Sequence, residues 1–258
     1  MTQGLLSDRA ELLHILTQVA RDAGRVIMAI YATDFAVRGK QDESPVTEAD
    51  EQAEQVIVTA LRKLTPGVPV IAEEAVAAGH LERAGALFWL VDPLDGTREF
   101  VNRNGEFTVN IALIEDGAPV LGVVYAPAID RLFAGAAGEG AFVVDDAGRR
   151  AIQTREVPAA GLTVVASRSH GDPQRIEDFL AGRKVAERRN AGSSLKICLV
   201  AAGEADLYPR FSRTMEWDIA AGDAVLRAAG GRLTDADGQL MRYGKPGLEN
   251  ADFLVWGR

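Results

Sequence analysis

The sequence predicts an α/β protein in two halves, an α+β part over residues 1–155 and an α/β part over residues 156–258. Two observations carry this. The first half opens on long helical periodicities and then runs into hairpin-punctuated strands. In the second half, strands alternate with helices. Apolar side chains at 12, 13, 16, 19, 20, 23, 26, 27 and 30 give residues 8–31 one buried helical face. "GKQDESPVTEAD" is a polar connection containing Pro45. Residues 48–63 form a second helix, with Ala49, Ala53, Val56, Ile57, Ala60 and Leu61 along one side. "GVPVIAEE" is a short strand closing on two glutamates, and "ALFWLV" is a strand running into "DPLDGT". "FTVNIALI" and "PVLGVVYAP" follow, with Asp116-Gly117 between them as a hairpin signal. "RLFAGAAGEGAFVV" continues the antiparallel pattern up to the turn "DDAG".

Beyond residue 155, "LTVVAS" reads as a strand, "DPQRIEDFLAG" and "SSLKICLVAAG" as helices, and "ADLYPRF" as a strand. "DIAAGDAVLRAAGG" is a helix stopped by Gly230-Gly231, and "GRLTD" and "DFLVW" are late strands. No repeat, low-complexity tract or long linker separates the halves, so they are expected to pack into one body. Apolar strands such as "VLGVVYAP" have two readings, core or an interface between two copies, so a homodimer is among the assemblies the sequence allows.

Composition narrows the function. Hydrophobic residues make up 47% of the chain and charged residues 25%, as in ordinary globular proteins. No apolar stretch reaches the ~18 residues that span a bilayer, so stable membrane insertion is not expected. Asp8 and Glu11 stand where a signal peptide carries basic and then uninterrupted apolar residues, which points to the cytoplasm. Cys198 is the single cysteine, so there is neither an internal disulfide nor a cysteine-rich zinc site. With only His14, His80 and His170 available, a bound metal is expected to be a hard cation held by oxygen. The net charge of −9 argues against long nucleic acids, whose affinity rests on many cationic contacts. A small anionic substrate remains compatible with it.

Asp50, Glu73, Asp92, Asp95 and Asp218 each sit beside an apolar segment rather than in a charged run. Ligands of α/β sheets gather at the carboxyl ends of strands, where Glu73, Asp92 and Asp95 fall. Converging carboxylates raise one another's pKa, and a divalent ion removes the conflict. Mg²⁺ takes oxygen ligands and keeps waters, and two ions about 4 Å apart can activate water and stabilise a departing phosphate-ester oxygen. Gly96-Thr97 permits close backbone approach, with amides aimed at a phosphate. Bland readings stand beside these. Asp92 and Asp95 also fit a solvated turn, and Thr47–Asp50 fits a capping box. Glu73-Glu74 also fits a surface pair, Asp218 a helix start, Ser193-Ser194 a helix N-cap, and "DADG" a β-turn. Two residues separate Asp92 from Asp95, unlike the Asp-x-Asp of covalent aspartyl phosphatases, which favours attack by water.

"PVTEAD", "IAEE", "WLVDPLDGT" and "EWDIAAGDAVLRAAGG", in this order and spanning nearly the whole chain, resemble the inositol monophosphatase superfamily of Mg²⁺-dependent, lithium-sensitive phosphatases. "REFVNRNGEFTVNIALI", "VLGVVYAP", "SRSH", "GSSLKICLVAAGEADLYPRF" and "WDIAAG" are most similar to its bacterial 3'(2'),5'-bisphosphate nucleotidase branch. The resemblance implies an αβαβα sandwich and removal of the 3'-phosphate of adenosine 3',5'-bisphosphate, a by-product of sulfate assimilation. It implies two or three Mg²⁺ ions. Glu73, Asp92, Asp95 and the Leu94 carbonyl would hold the first, and Asp92, Asp95 and Asp218 a second. Asp50 and Thr97 would position and deprotonate the attacking water, and the Gly96 and Thr97 amides would receive phosphate oxygens. Ser167, His170, Gly192, Ser193 and Lys196 fall where relatives contact the nucleotide, and Arg210 is a further candidate to offset phosphate charge. Glu216, beside Trp217-Asp218, departs from the branch. It either widens the substrate range toward inositol or sugar phosphates or is a solvated helix-start carboxylate. An inositol or sugar phosphatase is thus the second reading, and a binding protein without turnover the third.

Overall fold

The computed structural model describes residues 2–39, 45–167 and 172–258. A seven-stranded sheet is built from residues 70–152 and a five-stranded sheet from residues 162–256. The larger sheet runs in chain order: Val70–Ala72, Leu87–Asp95, Thr108–Glu115, Ala118–Ala126, Arg131–Ala136, Gly140–Asp145 and Gly148–Ile152. Its first pair is parallel and the rest antiparallel. Asp116 and Gly117 both take positive φ, 49° and 74°, in the tight turn between Thr108–Glu115 and Ala118–Ala126.

Strand side chains alternate between faces, so both faces of this sheet are apolar. Trp89, Val91, Ile111 and Val123 pack with the helices Arg9–Tyr31 and Glu48–Leu64. Phe88, Leu90, Ala112 and Val124 pack on the other face with the helices Leu195–Ala201 and Glu216–Ala228. The five-stranded sheet covers the far side of those two helices through Tyr208, Leu233, Phe253 and Val255. The helix Pro173–Leu180 closes its outer face against Leu162, Val164 and Leu207. The order of layers is αβαβα. "VLGVVYAP" is therefore core, buried between helices on both sides.

The helix Glu216–Ala228 belongs to the second half of the chain but lies on the sheet of the first. Gly122 and Gly135 make room for it. A Cβ on Gly122 would stand 2.3 Å from the Ala221 carbonyl oxygen, and one on Gly135 would stand 3.0 Å from Val225 Cα. Two strands of these sheets escape the sequence reading, Gly148–Ile152 and Val185–Asn190. Both are exposed edges rich in arginine, which protects an edge from pairing and erases the apolar alternation that marks a strand. The segment "GVPVIAEE" also differs. The strand stops at Ala72, and Glu73–Ala77 is a short helix.

Candidate active site

Register brings the first acids together. Ala72 pairs in parallel with Val91, so Glu73 and Asp92 emerge as the next residues of two neighbouring strands. The chain does not turn at Asp92. The strand continues to Asp95, and the ladder to Thr108–Glu115 slips between Asp92, opposite Asn110, and Asp95, opposite Thr108. Pro93 and Leu94 thus form a bulge that redirects the strand end. Asp92 is 1% exposed, and its Oδ1 accepts the Leu94 amide at 3.0 Å, so the solvated-turn reading is set aside. Asp218 arrives from the far half in the first turn of its helix, where its Oδ2 accepts the Met215 amide at 2.8 Å. One carboxylate oxygen each from Glu73, Asp92 and Asp218 lie within 4.8 Å of one another.

Asp95 stands beside that group rather than in it. Its Oδ2 accepts the Ser194 amide at 2.6 Å, which ties the second half to the end of the strand. Ser194 stands at the N-cap position of Leu195–Ala201, yet its hydroxyl makes no cap bond. It donates instead to Asn110 Oδ1 at 2.7 Å and lies 2.9 Å from Thr108 Oγ1. Burial pushes Asp95 up to about 6, offset by Lys196 and the Ser194 amide. Burial, then the charges of Asp95 and Glu73, push Asp218 well above the ordinary carboxylate range. These acids resist ionising together, which is the electrostatic condition a dication relieves. Their donor atoms are all oxygen, the set that suits a hard divalent ion.

Asp50 performs two tasks at once. Its Oδ2 accepts the Thr47 amide at 2.8 Å and the Thr47 hydroxyl at 2.7 Å, completing the capping box of Glu48–Leu64. Its Oδ1 accepts the Thr97 hydroxyl at 3.0 Å. Asp50 is buried and reaches the cleft through Thr97. Gly96 takes φ +92° and ψ 44°, a left-handed conformation open to glycine, and starts the helix Thr97–Val101. A Cβ there would meet Glu99 Oε2 at 3.2 Å and the Glu106 carbonyl at 3.4 Å.

The cleft is about 320 Å³. Glu73, Asp92, Leu94, Asp95, Gly96, Thr97 and Asp218 line it, together with Ser167, Ser193, Lys196 and Arg210. Ser193 takes φ +45°, and its buried hydroxyl has no partner among the described residues; the same holds for Arg210 Nε. Lys196 donates to the Ser193 carbonyl at 2.6 Å and the Ala191 carbonyl at 3.2 Å, with its ammonium 5.3 Å from the Tyr208 ring centre. Burial pulls Lys196 down to about 8, against the pull of Asp95.

Two expected contacts are corrected. Gly192 is not on the cleft wall. It is the point where two loops touch, because a Cβ there would stand 2.5 Å from the Glu106 carbonyl oxygen. Glu216 neither faces the cleft nor meets solvent. It is fully buried and accepts the Gly244 amide at 2.6 Å, the Lys245 amide at 3.0 Å and the Lys245 ammonium at 2.6 Å. His170 lies outside the described residues. Tyr208 and Trp217 line the cleft and were missed, although "LYPRF" and "EWD" had been singled out. An aromatic residue within two positions of a charged one, in an otherwise apolar segment, was the available signal.

A 3'(2'),5'-bisphosphate nucleotidase CysQ of Salmonella typhimurium is 47% identical over 234 residues, 90% of this chain and 94% of its own. The same holds for the protein of that name in Escherichia coli strain K12. The crystal structure of CysQ from Bacteroides thetaiotaomicron has a TM-score of 0.81 to this chain at 38% identity, covering 98% of both. An IMPase of Thermotoga maritima reaches 0.79 at 27% identity, covering 95% of this chain and 92% of its own. The model of the inositol monophosphatase family matches residues 8–255, and no helix among the described residues is long and apolar enough to cross a membrane. Register, the carboxylate cluster and these likenesses agree: the chain belongs to the inositol monophosphatase family.

Proposed function

We propose that the chain is a Mg²⁺-dependent phosphatase that hydrolyses the 3'-phosphate of adenosine 3',5'-bisphosphate to AMP and phosphate. The single observation that carries the chemistry is the convergence of Glu73, Asp92 and Asp218 within 4.8 Å, beside the Asp50–Thr97 hydrogen bond. The substrate follows from relatives that share 47% of residues over nine-tenths of the chain.

Glu73, Asp92 and Asp218, with Asp95 and the Leu94 carbonyl alongside, would hold the cations. When bound, these supply a water made more acidic and neutralise charge on the scissile phosphate. The protein's own groups do the rest. Thr97 donates its hydroxyl proton to Asp50, which turns the threonine lone pairs toward the cleft to accept a hydrogen bond from water. Asp50, fixed by its two bonds to Thr47, is the sink for that proton. The amides opening Thr97–Val101 receive phosphate oxygens. In the same cleft, Lys196, Arg210 and the Ser193 hydroxyl offer the donors a second phosphate requires. Glu216 gives no support to an inositol phosphatase, since its carboxylate is spent on Gly244 and Lys245.

The test is phosphate release with Mg²⁺ from adenosine 3',5'-bisphosphate, inositol 1-phosphate and fructose 1,6-bisphosphate. The nucleotide is expected to give the highest kcat/KM. A preference for the inositol ester reverses the assignment, and release from none of them favours a binding protein. Asp95→Asn should abolish nearly all turnover while circular dichroism stays native. Wild-type rates from that variant, saturated with metal, would contradict the site.

A further inference from the structure

The helix Glu48–Leu64 that supplies Asp50 supplies a second carboxylate one turn later. Glu54 is 8% exposed and shares the buried stripe of Ala53, Ile57 and Leu61. Its Oε2 accepts the Glu74 amide at 2.7 Å, and its Oε1 accepts the Ala75 amide at 2.8 Å. These are the two amides that directly follow Glu73. Glu54 is not one of the three carboxylates that converge, so it acts on the site from behind.

We propose that Glu54 is a positioning residue for the metal cluster: by holding the Glu74 and Ala75 amides it fixes the turn that delivers Glu73 to Asp92 and Asp218, and so sets the affinity for a divalent cation. The inference rests on the metal reading above. Three features support it. Glu73–Ala77 has five residues, too short for a helix to be stable on its own. Its N-cap residue, Ala72, has no side chain that could satisfy the opening amides, so that task falls to Glu54. A ligand carboxylate must meet its ion to within about 0.2 Å, and the residue bearing it is one peptide away from the pinned amides.

Both oxygens are required. Two donors converge on two acceptors, whereas a glutamine offers one oxygen and turns an NH₂ toward the second amide. The same helical face thereby orients two sides of the site, with Asp50 reaching Thr97 and Glu54 reaching the turn after Glu73. A carboxylate in the apolar stripe of an amphipathic helix was the sequence signal for it.

The experiment is Mn²⁺ binding to the full-length, metal-free protein by electron paramagnetic resonance, together with the Mg²⁺ concentration that half-saturates phosphate release. Groups that orient metal ligands from behind typically account for 10–100-fold in metal affinity. Glu54→Gln is accordingly expected to weaken Mn²⁺ by roughly 10–100-fold and to raise the half-saturating Mg²⁺ in parallel. Turnover should recover at saturating Mg²⁺, with KM for the nucleotide unchanged there. Glu54→Asp keeps the charge but is one methylene short, so it should weaken Mn²⁺ as well, and it carries the test if the glutamine variant does not fold. Wild-type Mn²⁺ affinity in either folded variant overturns the proposal. Ile57→Val, in the core of the same helix, should lower Tm and leave Mn²⁺ affinity alone; an equal loss of affinity there means general loosening and also overturns it. If the unaltered chain fails to bind Mn²⁺, the metal reading falls and takes this inference with it. Tight binding by the unaltered chain and by both Glu54 variants refutes this inference alone.

Discussion

Thr97 has one hydroxyl proton and two acceptors in reach, Asp50 Oδ1 at 3.0 Å and the Leu94 carbonyl at 3.3 Å. The shorter bond, to a charged acceptor, is the stronger, and it leaves the lone pairs of the hydroxyl for a water in the cleft. Thr97→Ala is expected to lower kcat by about 10²–10⁴, the range of general acid–base contributions. Thr97→Ser, which keeps the hydroxyl, should retain most of the rate, and steady-state kinetics on both variants decides the matter. Glu216 carries the opposite expectation. Removing its carboxylate strands the Gly244 and Lys245 amides, so Glu216→Ala should cost about 1–3 kcal/mol in urea denaturation. The ratio of kcat/KM between nucleotide and inositol 1-phosphate should stay where it was. A changed ratio would return Glu216 to the substrate.

At the scale of elements, the site depends on a strand, a bulge and a helix that crosses from one half of the chain to the other. The periodicity that marks Arg9–Tyr31 and Glu48–Leu64 is strong because each helix buries one stripe against one sheet face. The strands Gly148–Ile152 and Val185–Asn190 lie at edges, where solvent and arginines replace that stripe, and the pattern disappears with it. The helix Glu216–Ala228 was legible from its apolar run and glycine stop, but its seat was not. That seat is made by Gly122, whose missing side chain admits the Ala221 carbonyl. Gly122→Ala must push the helix back. The expected cost is about 1–3 kcal/mol of stability, with weaker Mn²⁺ binding because Asp218 rides on the same helix. Denaturation and metal titration on the one variant check both effects. A stable protein with native Mn²⁺ affinity would show that the helix is placed by other contacts.

For the whole molecule, the main electrostatic fact is that acids from both halves are gathered in one place. In the metal-free protein Asp95 titrates at about 6 against an ordinary 3.8, because burial favours its neutral form. The folded state therefore holds a proton that the unfolded chain releases. Stability contributed by this proton is present below pH 3.8 and is lost as pH rises toward 6, the reverse of a salt-bridged aspartate. Asp218 is shifted in the same direction. The metal-free protein should thus lose stability between about pH 4 and 6 relative to the metal-loaded form, and Mg²⁺ should raise Tm more at pH 7 than at pH 5. Calorimetry at the two pH values tests this; an equal shift at both would mean that the ions and the protons do not compete.

The sequence by itself determined most of the elements, the family and the candidate acids, because burial periodicity, turn residues and the motifs "PVTEAD", "DPLDGT" and "EWDIAAGD" are local. It also exposed the double fit of Asp50 to cap and cleft, and the structure makes both bonds at once from the two oxygens of one carboxylate. Only the tertiary structure decided which carboxylates converge. Asp92 joins Glu73 through parallel register and Asp218 through a helix laid on a distant sheet, and no local pattern encodes either contact. It decided as well that Glu216, two residues before Asp218, turns to Gly244 and Lys245, while Glu54 supports the turn behind Glu73. Side-chain direction and long-range proximity are set by how the layers pack, and the chain's chemistry alone leaves both open.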